Sequence, residues 1–219
     1  SQANRTVQVE CKPEEPEAQF DVSAETESAV ADDLDPVVGA SAESPTTSVV
    51  SPAIAESPNL FTLMEKHGTD KLRHGYANAY SKYLPMFRSK KNLKILEIGL
   101  GCDMPYGPGK SIPIWREYFP EATIYVLEYM KPCALKWWEE HPELRIEKVF
   151  TGSQSDPEFV RSVLSQTGKL DIVIDDGGHR MEHQRVSMQL IFPTMNSGGV
   201  YFCEDAHTSW NTAYGGGPV

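Results

Sequence analysis

Two carboxylates and an imidazole close an apolar run in Asp171-Ile-Val-Ile-Asp175-Asp176-Gly177-Gly178-His179, and a second acidic pair, Glu204-Asp205, closes the run Gly199-Val-Tyr-Phe-Cys203. Hard oxygen donors of this kind suit Mg²⁺, Mn²⁺ or Ca²⁺ far better than a soft metal, with open positions left for water or a substrate oxygen. Asp176, Glu204 and Asp205 are therefore candidate metal ligands. His179 and His207, which flank them in sequence, are candidate proton acceptors. Carboxylates at such positions can also serve merely as helix caps. Several of them at neighbouring strand ends, however, would repel one another unless something neutralised them.

A second constellation precedes the first. Glu97-Ile-Gly99-Leu-Gly101 ends another apolar run, where glycine allows a sharp turn and close approach of the backbone to a ligand. A dinucleotide fingerprint would continue as GxGxxG with a helix starting at once beneath the pyrophosphate. Here the third position is Met104, and the chain runs on through Pro105-Tyr-Gly107-Pro-Gly109 before Ser111 can cap a helix. The longer loop suits an amino-acid tail better than a pyrophosphate. Glu128, ending the next apolar run, has two oxygens that could accept both hydroxyl hydrogens of a ribose. Glu97, Gly99, Gly101, Ser111, Glu128, Ser153, Gln154 and Asp175 make up the candidate cofactor-binding set.

These residues need a frame that brings strand ends together. Lys94-Ile-Leu-Glu-Ile98, Thr123-Ile-Tyr-Val-Leu127, Arg145-Ile-Glu-Lys-Val-Phe150, Asp171-Ile-Val-Ile174 and Gly199-Val-Tyr-Phe-Cys203 read as strands. Helical spacing appears between them at 111–118, 133–140, 156–166 and 183–192, and two short amphipathic helices, around Leu60 and from Tyr76, come first. Trp115, Tyr118 and Phe119 read as a helix face packed on the sheet. Strands alternating with helices predict an α/β fold, a doubly wound parallel sheet of Rossmann-like type, with ligands at the carboxyl ends of the strands.

The chain has 219 residues and a formal charge of -11. The acidity is local: up to Glu56 there are 12 Asp and Glu against only Arg5 and Lys12. Residues 1–57, rich in Ser, Pro and acids with Phe20 as their only aromatic, are expected to be a disordered tail. Residues 58–219 carry a near-neutral balance, without the basic footprint expected for nucleic acid or an anionic membrane. No apolar run approaches the roughly 20 residues of a membrane span. The start lacks a signal-peptide pattern, so the cytoplasm is the first expectation for location. A secretory lumen fits if an anchor has been removed, in which case Asn4-Arg-Thr6 could accept a glycan. Cys11, Cys102, Cys133 and Cys203 form no CxxC pair, which predicts buried free thiols rather than a zinc site or a dense disulfide framework.

From Gly68-Thr-Asp-Lys71 onward, Leu96-Glu-Ile-Gly99, Ser111-Ile-Pro-Ile-Trp115-Arg-Glu-Tyr-Phe-Pro120, Gln154-Ser-Asp156-Pro-Glu-Phe159, the Asp-Asp-Gly-Gly-His motif and Glu204-Asp-Ala-His-Thr-Ser-Trp210 can be taken together. The sequence they form resembles the metal-dependent macrolide-sugar O-methyltransferases of the mycinamicin and tylosin pathways, and more distantly cephalosporin hydroxylase-type proteins. The resemblance implies a class I methyltransferase fold with S-adenosyl-L-methionine and a divalent cation such as Mg²⁺ as cofactors. It also implies Asp176, Glu204 and Asp205 as the metal ligands, His179 as the base, and a sugar or small polyhydroxylated metabolite as the hydroxyl acceptor. Self-association is left open. Ser153 stands where that family usually has Asp beside the adenine, so contacts there are expected through Gln154 or the backbone. The family fold adds a helix and an antiparallel strand pair after the fifth strand, and only 211–219 remain here, which predicts a C-terminally truncated domain. The rival readings are a methyltransferase-like binding module without turnover and a nicotinamide-dependent oxidoreductase. The absent third glycine and the carboxylate cluster count against the latter.

Overall fold

The five apolar runs become strands because β-branched residues suit a pleated surface and because both faces are covered by helices. The computed structural model describes residues 58–217. The expectation of a disordered acidic tail, together with Cys11 and the Asn4 triplet, lies outside those residues. The strands are β1 (Lys94–Ile98), β2 (Thr123–Glu128), β3 (Lys148–Thr151), β4 (Ile172–Asp175) and β5 (Val200–Cys203), paired all-parallel in the order β3-β2-β1-β4-β5. The helices are α1 (Leu60–His67), α2 (Tyr76–Tyr83), α3 (Ile112–Tyr118), α4 (Lys131–Glu140), α5 (Pro157–Thr167) and α6 (Met181–Ile191). Among the described residues no helix is long and apolar enough to cross a membrane.

Alternation along each strand sends side chains to two separate cores. Ile95, Ile124, Val126, Ile172 and Ile174 pack with Leu63 and Met64 of α1, Tyr80 of α2, Trp115 of α3 and Trp137 of α4. Leu96, Ile98, Leu127 and Val173 face the other way, onto Val160 and Val163 of α5 and Ile191 of α6. Trp115, Tyr118 and Phe119 are all buried in the first core, the role their spacing predicts. Local signals set several helix ends. Asn59 caps α1 through the Phe61 amide and left-handed Gly68 ends it, while Asp156 caps α5 ahead of Pro157.

Because the order reverses beside β1, the carboxyl ends of β1 and β4 form the topological switch point, the crease where a doubly wound sheet is expected to take its ligand. Three details differ from the sequence reading. β3 starts at Lys148 rather than Arg145, because a 3₁₀ turn over Pro142–Leu144 ends with Arg145 in the left-handed region at φ 48°. Ser111 precedes α3 but its side chain accepts no capping bond from it; its hydroxyl donates to Glu97 instead. The third concerns the thiols. Cys203 is free, whereas Cys102 and Cys133 form a disulfide. They lie 31 residues apart, and only the juxtaposition of the loop after β1 with the start of α4 brings them together.

Candidate active site

Strand register builds the site. Ile98 pairs with Leu127 on one side and Asp175 on the other, and Asp175 pairs with Cys203. The ladder runs one residue further: the Gly99 amide donates to Leu127, Asp176 to Ile98, Glu204 to Asp175 and Gly152 to Glu128. The residues that follow β1, β3, β4 and β5 are thus glycines or carboxylates, and β2 itself ends on Glu128.

At the β4–β5 end, ligand atoms of Asp176, His179 and Asp205 lie within 4.8 Å of one another. His179 Nε2 is 3.3 Å from Asp205 Oδ2, and His179 Nδ1 is buried with no hydrogen-bond partner. Asp205 holds a left-handed backbone at φ 51°, a conformation Asp tolerates better than most residues but one that still needs a surrounding to impose it. That surrounding includes Tyr76, whose hydroxyl donates to Asp205 Oδ1 and accepts the Asp205 amide, both at 2.8 Å. His207 sits outside, its side chain 76% exposed, with Nδ1 3.7 Å from Asp205 Oδ1.

Glu204 turns inward. Lys71, on the 3₁₀ turn Asp70–Leu72 between α1 and α2, is 2% exposed and reaches Asp176 Oδ2 and Glu204 Oε1 at 2.6 Å each. Tyr80 of α2 donates to the same Glu204 oxygen. Burial by itself would push the Lys71 ammonium down, but Glu204 and Asp176 outweigh it and hold the pKa above its ordinary value. Burial pushes the Glu204 carboxyl up to about 7 even with Lys71 pulling the other way, and burial beside Glu204 raises the Tyr80 phenol. Lys71 is therefore a fixed internal cation between two of the candidate ligands. The carboxylates of Asp176 and Asp205 converging at this edge are hard oxygen donors that fit a divalent cation, with the His179 imidazole beside them.

The β1–β2 end is built differently. Gly99 has φ 93°, and a Cβ there would stand 2.1 Å from the Asp176 carbonyl oxygen, so only glycine lets the turn pass under the next strand. Glu128 is buried; Oε2 accepts the Leu100 amide and Oε1 the Met130 amide, each at 2.8 Å. Each of its oxygens retains a lone pair. Gly101 follows in the loop. Ser153 lies half-buried after β3, its hydroxyl 2.8 Å from that of Ser155. Glycine turn, carboxylate and polar loop fit a nucleoside carrying an amino-acid tail.

Glu97, Ser111, Gln154 and Asp175, like Glu128 and Ser153, are engaged within the protein. Glu97 accepts from Ser111 Oγ and from Trp115 Nε1 at 2.8 Å, and burial, partly offset by Lys71, pushes its carboxyl up to about 7. Gln154 donates to Asp175 Oδ1 and accepts the Gly178 amide. Asp175 also receives Ser187 Oγ and Tyr201 Oη at 2.6 Å. These bonds tie β3, β4 and β5 and the start of α6 into one edge. Gly99, Gly101, Glu128 and Ser153 stand at or just after the carboxyl ends of β1, β2 and β3. Sequence reasoning missed Lys71, Tyr76 and Tyr80. The tyrosines read as an ordinary helical stripe, and Lys71 stood within a quoted motif with nothing to mark its side chain as buried.

The fold is that of the α/β methyltransferases of class I. No protein-family model matches the chain. Its homologues are sugar O-methyltransferases. It is 34% identical over 171 residues to the 8-demethyl-8-(2-methoxy-alpha-L-rhamnosyl)-tetracenomycin-C 3'-O-methyltransferase of Streptomyces olivaceus, covering 77% of this chain and 42% of that protein. It is 32% identical over 178 residues to the mycinamicin VI 2''-O-methyltransferase of Micromonospora griseorubida, covering 80% and 43%. Among solved structures, the MycE methyltransferase from the mycinamycin biosynthetic pathway, in complex with Mg, SAH and mycinamycin VI, superposes with a TM-score of 0.66 at 32% identity, covering 74% of this chain and 43% of that one. The chain spans less than half the length of these relatives.

Proposed function

We propose that this chain binds S-adenosyl-L-methionine along the ends of β1 and β2, holds a divalent cation such as Mg²⁺ at the ends of β4 and β5, and methylates a hydroxyl of a sugar or small polyhydroxylated metabolite. The observation that carries the reading is the convergence of Asp176, His179 and Asp205 one strand away from the Gly99 turn. The homologous sugar O-methyltransferases support the reaction type, and the Mg and SAH bound to MycE support the cofactors.

A divalent cation bound there supplies Lewis acidity, which lowers the pKa of an acceptor hydroxyl. Asp176 and Asp205 would hold it. Glu204, buried and bonded at Oε1 by Lys71 and Tyr80, would stand behind them as a further candidate ligand. His179 takes the hydroxyl proton at Nε2, which stands 3.3 Å from Asp205 Oδ2. Glu128 holds the ribose and the 99–101 turn faces the amino-acid tail, leaving Ser153 near the base. Much of the acceleration comes from holding methyl donor and acceptor in line, which turns a bimolecular displacement into an effectively intramolecular one.

Calorimetry tests this without requiring turnover. S-adenosylhomocysteine should bind while NAD(H) does not, and Mn²⁺ or Mg²⁺ should bind in its presence. Asp205→Asn should weaken metal binding on the order of 10²-fold by removing a charged oxygen. His179→Ala should leave metal affinity within about threefold while slowing methyl transfer at least about 10²-fold. Loss of metal in His179→Ala would make the imidazole a ligand instead of the base, and equal turnover with and without a strong chelator would remove the metal from the reaction.

A further inference from the structure

The Cys102–Cys133 bond lies between the two elements that frame the cofactor crease. Cys102 directly follows Gly101 in the loop after β1, and Cys133 is in the first turn of α4, which begins three residues after Glu128. At its ends that loop is well tied down. The Leu100 amide donates to Glu128, the Gly109 amide donates to the Leu100 carbonyl at 2.7 Å, and Gly109 presses so closely on the Trp137 ring of α4 that an added Cβ would stand 2.4 Å from it. Its crest is not. From Gly101 to Gly107 the backbone bonds are two local turns, Met104 to Gly101 and Gly107 to Met104, and residues 103–106 are exposed. The disulfide is the covalent tie from this crest to α4.

We propose that Cys102 and Cys133 are positioning residues for the cofactor: their disulfide holds the glycine loop on α4 in its binding geometry, and the site binds its S-adenosyl ligand tightly only when the bond is formed. The proposal rests on the cofactor assignment made above. Its physical basis is preorganisation. An untethered crest has to be ordered when the ligand arrives, and that entropy opposes binding, whereas a cross-linked crest is already restricted. Both cysteines are half-buried, so a small reductant can reach them. A dithiol delivers two electrons and two protons to the bridge, leaving two protein thiols and departing as its own cyclic disulfide. The consequence is compartmental: the chain holds its cofactor well where disulfides persist and loosely in a reducing cytosol.

The test is calorimetric titration of the whole chain with S-adenosylhomocysteine in four forms: oxidised, reduced by excess dithiol with thiols counted, reoxidised, and Cys102→Ser/Cys133→Ser. The reduced and double-serine forms should bind about tenfold more weakly, reoxidation should restore affinity to the wild-type chain alone, and amide exchange should quicken over 101–107 while α5 is unchanged. A purely structural bond would lower the melting temperature of the reduced form and leave its affinity unaltered, which overturns the proposal. Equal affinity in all forms overturns the clamp but keeps the cofactor assignment, and no binding by the oxidised chain overturns both. If the double-serine chain does not fold, the reduced wild-type chain decides alone.

Discussion

The two ends of the strand-end crease solve the same problem by different means. At β1–β2 the ties are short-range in sequence: Glu128 is satisfied by amides of Leu100 and Met130, and the disulfide spans 31 residues. At β4–β5 the ties are long-range and ionic. Lys71 reaches Asp176 and Glu204 across 105 and 133 residues, and Tyr76 reaches Asp205 across 129. The first end is a backbone cradle that neutral amides can complete. The second is a charge balance, where one buried cation offsets a row of acids that would otherwise repel. The difference teaches where each end is fragile: the cradle loses affinity by degrees, whereas the charge balance fails when Lys71 is removed.

Lys71→Met should have the largest effect, because it leaves Asp176 and Glu204 facing each other without compensation. Breaking a buried pair from one side costs about 3–5 kcal/mol, a fall in melting temperature on the order of 10 °C for a domain of this size. The loss should be large at pH 8 and shrink at pH 5, where Glu204, already pushed up to about 7, carries a proton. Thermal unfolding at both pH values measures it, and an undiminished melting temperature at pH 8 would break the comparison.

Glu97, buried between the two ends, should have the next largest effect, visible as a pH dependence. Its carboxyl is raised from 4.5 to about 7, so between those values the folded chain holds a proton that the unfolded chain has released. Stability from this group is therefore greatest below about 4.5 and declines as pH rises to about 7, by roughly 3 kcal/mol in all. Glu97→Gln should gain stability relative to wild type between pH 5 and pH 8, read from urea unfolding at each pH. A constant difference would mean that Glu97 does not titrate in that window.

The smallest effect sharpens the contrast. Glu128→Ala should weaken S-adenosylhomocysteine binding by about tenfold, the scale of losing hydrogen bonds to a charged acceptor, and leave Mn²⁺ affinity unchanged. If metal affinity falls in parallel, the two ends are one coupled unit rather than two.

The repeated alternation of apolar runs and helical stretches was legible in the sequence, and with it the parallel sheet, the Gly99 turn and the placing of Glu128, Asp176 and Asp205 at strand ends. Each of these follows from local pattern, because a strand's period and a glycine's freedom act over a few residues. The partners of those residues were not legible. Ser111 carried a capping signal yet turns to Glu97, since the packing of α3 on the sheet sets its hydroxyl against a buried carboxylate. Cys102 and Cys133 showed no pairing motif, and Lys71, Tyr76 and Tyr80 showed no functional one. What joins them is the docking of α1, α2 and α4 against strand ends that are far away in the chain. Ion pairing and disulfide geometry depend on distances of a few ångströms between such segments, and only the tertiary structure decides those distances.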